Sequence, residues 1–481
     1  MSRNSVNGNA YPGAVIMEKI DKYRVCAVFA LAMTFCAACG RSPDSGVVIE
    51  KAQVMGAVYK DGPVKAVMKD AGFYYGDSTY HGIIEASDGN VYFFINSHFA
   101  ESNVHMFKYD PSTDKVTMIA DLNEVLGEDR TKMYPQGKVH SRIYEHNGKL
   151  YFGTHAGEHH RFGKYSWLAP YPGGHFMSYD LATGKFEDFG IGAPEQGLIT
   201  VAMDKQRGRL YSLGWPDVIF CYYDIGSGTM KRFEKVSSFE ARALALDPRT
   251  GNVYWPDVDG SIMCYSHESD AITRLDQPRF DSRPVLTPVS QPDTSGTQYG
   301  WRDIQWSETL NRFIGVFYTS EYLFSFDPLT GEIELIDRIA AAPLRKAGTT
   351  TTGSLAFALS SDGTVVYYIA AGEKTIENPV THGKDQQSHL VTYSIPLRQY
   401  IDHGYIELDD GRWPLADRSL ATGKNGSLYI AGWIPFRDID TEKGSRLIAA
   451  RYKNTKRETL EKDGITEVNL MVLPDPLYGE K

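Results

Sequence analysis

Asp88-Gly-Asn-Val-Tyr-Phe93 and Asn147-Gly-Lys-Leu-Tyr-Phe152 are two copies of the short motif that decides the fold of this chain. Each copy joins an Asp-Gly or Asn-Gly turn to an apolar strand, which is a strong local signal for a β-hairpin. The motif recurs roughly every 40 to 60 residues, a spacing typical of repeat architectures. The five further copies begin at Arg207, Thr250, Leu310, Asp362 and Asn425.

A second motif follows each hairpin and predicts a third strand in every repeat. Examples are Phe107-Lys-Tyr-Asp110 and Met177-Ser-Tyr-Asp180, and the last copy is Ala450-Arg-Tyr-Lys453. Several copies continue into a Thr-Gly turn and a fourth strand, so each repeat is expected to hold four up-and-down strands. We therefore predict an all-β fold, a seven-bladed β-propeller of four-stranded blades. A helical pattern longer than about two turns stands out only near residues 339–346.

The amino-terminal region has the pattern of an export signal. A basic segment follows Met17, which can serve as the true start, and an apolar stretch runs from Val25 to Ala38. That stretch is too short to span a bilayer, and Cys36-Ala-Ala-Cys39-Gly resembles a bacterial lipoprotein cleavage box with Cys39 as the acylated residue. A buried first helix is the alternative. The expected organisation is an export signal over 1–38, a lipidated cysteine with a linker over 39–50, and the propeller over 51–481.

Charge and cysteine content limit the partners and the location. The net charge is −10 and Lys and Arg form no run, so no nucleic-acid partner is expected. We expect an exported monomer, held by its lipid to the bacterial outer membrane or cell surface, and otherwise periplasmic or secreted.

Cys221 and Cys264 are expected to be apolar core residues, with a disulfide between them as the alternative.

The shared axis of a propeller creates a funnel that commonly binds ligands. Counting back from each hairpin turn reaches the residue that starts each innermost strand, and five of these seven positions can be cationic. Such a ring predicts an anion site with aromatic platforms for sugar rings, although each Arg could instead pair with an Asp of a neighbouring blade. The strand-start residues are His81, His140, Thr200, Arg242, Arg302, Ser354 and Arg418. The second strands are expected to end at His98, His155, Trp215, Asp257, Tyr318, Ala370 and Trp433.

Histidines are concentrated in the first two repeats. A metal site formed by His155, His159 and His160 is conceivable, but no ligand spacing recurs with an acidic partner. No cofactor is expected to be required, and a structural metal ion stays an open alternative.

The segment Gln136-Gly-Lys-Val-His-Ser-Arg-Ile-Tyr-Glu145, together with Lys149-Leu-Tyr-Phe-Gly-Thr-His155, resembles the propeller-type polysaccharide lyases that cleave ulvan. The resemblance is clearest over residues 80–180. Those enzymes cleave beside a uronic acid by β-elimination, with a His and a Tyr for proton transfer and an Arg on the uronate. The resemblance implies that His140 and His155 are the paired histidines of the family's central canyon. No motif places the family's Tyr or Arg, because Trp215 and Cys221-Tyr-Tyr223 occupy the corresponding stretch.

The expected function is therefore a lyase for an anionic, uronic-acid-containing polysaccharide. Elimination needs a base, an acid and a cation on the carboxylate, and His, Tyr and Arg can supply them. The alternatives are a non-catalytic propeller lipoprotein that binds glycan or protein, and other exported propellers such as hydrolases or quinone-dependent dehydrogenases. The expected catalytic residues are His140, His155, Arg242, Arg302 and Tyr318, with Tyr80 as a second available phenol. The expected substrate-binding residues are His81, His98, Lys138, Arg142, Trp215, Arg418 and Trp433.

Overall fold

A computed structural model describes most of the chain after residue 55. The described residues are 56–99, 102–129, 131–157, 171–237, 241–275, 300–318, 320–348, 352–372 and 387–479, without the side chains of 416–418, 462 and 463. The predicted export signal, the lipidated Cys39 and the linker lie outside these residues. Residues Lys51–Lys481 form one compact unit.

Thirty-one strands and four helices make up the described part of the chain. Two strands, β1 and β2, precede the first blade, and the first three blades follow them. In chain order the elements are β1 (Val58–Tyr59), β2 (Val64–Lys69), β3 (Ile83–Glu85), β4 (Val91–Ile95), β5 (His105–Asp110), β6 (Lys115–Asp121), α1 (Leu122–Leu126), β7 (Gln136–Lys138), β8 (Tyr144–His146), β9 (Lys149–Gly153), β10 (His155–Ala156), β11 (His175–Asp180), β12 (Phe186–Ile191), β13 (Gly197–Asp204), β14 (Arg209–Trp215), β15 (Ile219–Asp224) and β16 (Thr229–Lys235).

The remaining elements build the other four blades, with three helices between strands. They are β17 (Ala245–Leu246), β18 (Val253–Pro256), β19 (Ile262–Ser266), β20 (Ala271–Leu275), β21 (Trp301–Ser307), β22 (Arg312–Phe317), β23 (Tyr322–Asp327), β24 (Glu332–Arg338), α2 (Ala342–Ala347), β25 (Phe357–Leu359), β26 (Val365–Ala370), β27 (His389–Ser394), β28 (Gln399–Leu408), β29 (Ala416–Thr422), β30 (Ser427–Phe436), α3 (Glu442–Arg451), α4 (Arg457–Asp463) and β31 (Ile465–Pro474).

Seven antiparallel four-stranded units form the blades, which confirms the predicted all-β, seven-bladed propeller. The Asn147-Gly148 turn has the expected backbone: both residues have positive φ, at 50° and 73°, as a type I′ turn requires. The blades contain, in order, β3–β6; β8, β9, β11 and β12; β13–β16; β17–β20; β21–β24; β25–β28; and β29, β30, β31 and β2.

Strand β2 closes the ring, which the sequence analysis did not predict. It pairs antiparallel with β31, with Val67 opposite Val472. It also pairs parallel with β28, with Val64 opposite Ile406, and so joins the last two blades into one sheet. The last blade is therefore completed by residues from the beginning of the propeller, and closure depends on non-covalent pairing.

The core lies between neighbouring blades. The tyrosines at one register of the hairpin motif are all buried, which confirms that they are packing residues. Tyr92 of blade 1 contacts Tyr179 of blade 2, and Tyr429 of blade 7 contacts Tyr109 of blade 1, with ring centroids 5.8 Å and 6.2 Å apart. Aromatic side chains thus bury large apolar area at these two blade junctions.

The prediction of a third strand at Ala450–Lys453 in blade 7 is wrong. Those residues lie at the end of α3 and just after it, and the third strand is β31. The Thr441 side chain accepts a hydrogen bond from the Gly444 N–H and caps α3. Leu447 of α3 packs in a cluster with Leu460 of α4, so burial of a helical face overrides the local strand motif.

Both body cysteines are buried free thiols in the described structure, Cys221 in β15 and Cys264 in β19. Burial raises the pKa of Cys221 to about 12 and that of Cys264 to about 11. The prediction of apolar core cysteines is confirmed, and the disulfide is not formed. Among the described helices, none combines the length and the apolar composition needed to cross a membrane.

Candidate functional site

His140 and His155 come together at the start of the second blade. His140 lies between β7 and β8, and His155 begins β10, where it pairs with Lys138 of β7. The two ring centroids are 5.9 Å apart, and each residue is 3% exposed. Gly197 makes room for this arrangement, because a Cβ atom there would lie 2.8 Å from the His155 ring.

The hydrogen bonds of these two rings determine their tautomers. Nδ1 of His140 lies 2.9 Å from the carbonyl oxygen of Ile199, and Nδ1 of His155 lies 2.7 Å from that of Ala156. Because a carbonyl oxygen can only accept, Nδ1 must donate in both residues. In the neutral form each Nε2 therefore carries a lone pair and can accept a proton.

Both imidazoles are held in the neutral form. Burial lowers the pKa of His140 well below its usual value, and the charge of Arg242 and the other nearby basic side chains lower it further. Burial also lowers the pKa of His155, helped by the charges of Lys138 and Arg242. Desolvation and nearby cations both disfavour an imidazolium, so these residues are poised as bases rather than as acids.

Two guanidinium groups lie on the ring of Tyr318, the residue that follows β22. Cζ of Arg302 is 4.6 Å and Cζ of Arg242 is 5.4 Å from the ring centroid. These contacts are within the range of cation–π interactions. The charge of Arg242 also lowers the pKa of both imidazoles, so Arg242 of blade 4 lies near the histidines of blade 2, and Tyr318 of blade 5 joins it to Arg302.

Two aromatic rings pack against the two imidazoles, one on each. The Tyr80 ring is 4.1 Å from that of His140, and the Trp215 ring stacks on that of His155 at 5.3 Å. We call Tyr80, His140, His155 and Trp215 the ring row. Nζ of Lys138 lies 5.5 Å from the centroid of Tyr80, which places a cation beside the row.

His98 and Trp433 meet at Asp77, a residue that the sequence analysis did not predict. Nδ1 of His98 lies 2.9 Å from Oδ1 of Asp77, and Nε1 of Trp433 donates to the Asp77 carbonyl oxygen at 2.5 Å. Burial alone would raise the pKa of Asp77, but its hydrogen bond to His98 and the charges of His98 and Arg451 lower it. The sequence signal was weak, since Asp77 belongs to no repeated motif.

His81 and Arg142 are bound to a buried carboxylate, Asp303 of blade 5. Arg142 donates to Asp303 and to the carbonyl oxygen of Phe357. Nε2 of His81 is 3.4 Å from Oδ2 of Asp303, and Nδ1 of His81 lies 3.2 Å from the carbonyl oxygen of His140. Burial lowers the pKa of His81 despite this carboxylate. These two predicted substrate-binding residues therefore contact the protein itself.

A cavity of about 480 Å³, lined in part by Arg142, lies along the central channel. Inner-strand residues of all seven blades line it, including Glu85, Lys205, Trp306 and Glu308. Arg142 lines this cavity, and its partner Asp303 also lies near His81.

Two predictions fall wholly or partly outside the description. The Arg418 backbone lies in β29, opposite the β30 residues that lead to Trp433, but its side chain is not described. The proposed metal ligands His159 and His160 also lie outside the described residues. Within the described part of the chain, no group of three or more His, Cys, Asp or Glu side chains could hold a metal ion.

Comparisons with known proteins do not assign a family. No family model matches the chain, and no curated protein matches it. Among solved structures, the "Crystal Structure of Mitotic Checkpoint Complex" is similar with a TM-score of 0.45 and 11% identity, over 84% of this chain and 96% of that chain. "Crystal structure of a putative 6-phosphogluconolactonase from Bacteroides uniformis" is similar with a TM-score of 0.42 and 9% identity, over 68% of this chain and 86% of that chain. Neither similarity carries information about function.

Proposed function

We propose that this protein is an exported, lipid-anchored polysaccharide lyase that cleaves a uronic-acid-containing, ulvan-like glycan by β-elimination. One observation carries the proposal: the rings of His140 and His155 lie 5.9 Å apart, and Arg242, whose charge lowers the pKa of both, shares the Tyr318 ring with Arg302. A base beside a carboxylate-binding cation is what elimination next to a uronate requires.

Each group in the cluster has a role in such a reaction. The guanidinium groups bind the uronate carboxylate and stabilise the negative charge that develops when the adjacent C–H bond breaks. Nε2 of His140 takes this proton, and His155 is its partner in proton transfer or in binding the carboxylate. The C–H electron pair becomes the new C=C bond as the C–O bond to the next sugar breaks. The leaving oxygen receives a proton from a phenol of the site, and no water or cofactor is consumed.

The ring row supports a sugar substrate. Tyr80 and Trp215 are at its two ends, and aromatic faces pack against the apolar faces of pyranose rings. Lys138 next to Tyr80 adds a second cation for an acidic sugar. The proposed ligand is thus a chain of sugars that carries more than one negative charge.

A non-catalytic glycan-binding propeller is the second candidate. The low exposure of both imidazoles favours it, because a substrate must reach side chains that are only 3% exposed. In that case the cations and the ring row would bind an acidic glycan without any bond being broken.

Ultraviolet absorbance separates the two candidates. The purified propeller is incubated with ulvan, glucuronan, pectin and glycosaminoglycans, in parallel with His140→Ala and with His146→Ala, a histidine of the β8–β9 hairpin outside the cluster. An absorbance rise from an unsaturated uronate with one polymer, lost in His140→Ala and kept in His146→Ala, supports the lyase. Binding of a polymer without any rise supports the binding propeller and contradicts the lyase.

A further inference from the structure

Three polar side chains of blade 1 lie in line at the edge of the ring row. Oδ1 of Asp77 is 2.9 Å from Nδ1 of His98, and Nε2 of His98 is 3.4 Å from the hydroxyl oxygen of Tyr80. A carboxylate, an imidazole and a phenol thus follow one another, and the phenol ring contacts that of His140. From the sequence, His98 was expected only to bind substrate, and Asp77 had no predicted role.

The direction of these contacts follows from the chemistry of the groups. An ionised carboxylate can only accept, and the pKa of Asp77 is lowered, so Nδ1 of His98 donates to it. Nε2 of a neutral His98 is then the acceptor, and the Tyr80 hydroxyl donates to it. The distance of 3.4 Å is long for a hydrogen bond, and such contacts often tighten only when substrate is bound.

The surrounding structure holds the three groups in this order. The His98 backbone N–H lies 3.3 Å from both carboxylate oxygens of Asp77. Arg451 at the end of α3 donates to the carbonyl oxygen of Gly76 at 2.7 Å, and Trp433 donates to that of Asp77. The α3 insertion in blade 7 therefore fixes the loop that carries Asp77.

Tyr80 and His98 differ in their exposure to solvent. Tyr80 is 7% exposed, whereas the side chain of His98 is 36% exposed. A buried phenol next to a half-exposed imidazole can exchange its proton with bulk water through that imidazole. This is the arrangement needed to restore a proton donor after each turnover.

Tyr318 differs in its surroundings. Its ring contacts both Arg242 and Arg302, whereas the Tyr80 ring contacts that of His140. The role of Tyr318 would then be to orient the two cations on the carboxylate.

We propose that Tyr80 is the proton donor to the leaving oxygen, that His98 returns a proton from water to Tyr80, and that Asp77 positions His98. This inference rests on the proposed lyase function. The Tyr80 O–H bond breaks as the new O–H bond on the leaving sugar forms. Nε2 of His98 then takes a proton from water and passes it to the phenolate, and the proton that His140 took from the sugar returns to water.

Two phenylalanine variants test the assignment, because each keeps a ring and removes one hydroxyl. We expect Tyr80→Phe to lower kcat by roughly 100-fold or more, as loss of a general acid does, with a smaller change in KM. Tyr318→Phe keeps the ring that contacts the two guanidinium groups, so its loss of kcat should be smaller than that of Tyr80→Phe. Asp77→Asn should lower kcat and shift the pH profile, which a purely structural role would not do. Matching thermal melts of all variants control for folding.

The reverse result, full activity in Tyr80→Phe and loss in Tyr318→Phe, overturns the inference while leaving the lyase intact. If the wild-type protein eliminates no polymer, the proposed function fails, and nitrogen NMR of the histidines decides the relay separately. A protonated Nδ1 in His98, with an Nε2 resonance that moves in Tyr80→Phe, supports the relay. A protonated Nε2 with an unprotonated Nδ1 contradicts it.

Discussion

The guanidinium of Arg142 in blade 2 is bonded to the carboxylate of Asp303 in blade 5, 161 residues away in the sequence. These blades are not neighbours, so the pair spans the central channel. The carboxylate is buried and also lies near His81. One ion pair therefore links two blades that are not adjacent in the ring.

Removing one partner of the Arg142–Asp303 pair should destabilise the propeller. Asp303→Asn leaves the Arg142 charge without its carboxylate, and removing one partner of a buried pair typically costs about 3–5 kcal/mol. We expect the lower end, since the Arg142 side chain is 23% exposed. Urea unfolding measures the loss. The double variant Arg142→Met with Asp303→Leu should recover much of it, and equal losses in the two variants would show that the cost does not come from the unpaired Arg142 charge.

Removing either neutral imidazole should abolish turnover but not glycan binding. We expect His140→Gln and His155→Gln to lower kcat by roughly 10²- to 10⁴-fold, the usual contribution of a general base. Initial rates of unsaturated uronate formation measure the effect, and calorimetric binding shows whether affinity is kept. The matched variant His146→Gln should be unaffected. Comparable losses in all three variants would point to a general folding defect instead.

The pH dependence of turnover should report the neutral state of the imidazoles. Because the pKa values of His140 and His155 are lowered from 6.5, the acidic limb of kcat/KM should lie below pH 6.5. Arg242→Gln removes a cation that disfavours the imidazolium, so the pKa values should rise and the limb should move toward higher pH. A pH-rate series on both proteins checks the direction. An unchanged limb would exclude His140 and His155 as the titrating bases.

His175 should make stability fall at alkaline pH. Burial alone would lower its pKa, but hydrogen bonds to Asp188 and Glu128 raise the pKa to about 9. Since the folded-state pKa exceeds the unfolded value of 6.5, this stabilisation is complete below pH 6.5. It is lost as the pH rises through 9, and amounts to on the order of 3 kcal/mol.

Urea unfolding between pH 6 and 10 measures this contribution. The variant His175→Gln should show a flatter profile over that interval than the wild-type protein. Parallel profiles for the two proteins would show that another group causes the alkaline loss.

Strand β2 should be essential for closure of the ring. A variant that lacks residues 1–69 loses the pairing of Val64–Lys69 with both β28 and β31. It leaves β31 as an open edge, so we expect a lower unfolding midpoint and aggregation. A variant that lacks only residues 1–55 keeps the strand and serves as the control. Equal midpoints for the two truncations would show that the closing strand is dispensable.

Local sequence predicted the structure correctly wherever a single hairpin decides it. The Asn147-Gly148 turn and the apolar strands beside it need no distant contacts to specify a hairpin, and seven such units predicted the propeller. The same approach failed at Ala450–Lys453, where a strand-like motif ends a helix. A helix cap and burial against α4 decide that segment, and neither is visible in a four-residue motif.

The sequence by itself determined the repeat, the blade number and the register that brings His140, His155, Arg242 and Arg302 to one funnel. These properties depend on turn chemistry and on alternation along a strand, which are short-range. Only the tertiary structure decided that the imidazoles are neutral, that Asp77 and Asp303 bind cationic or titratable partners, and that β2 closes the ring. Protonation and ion pairing depend on burial and on charges brought close by folding from distant segments, so neighbouring residues in the sequence do not specify them.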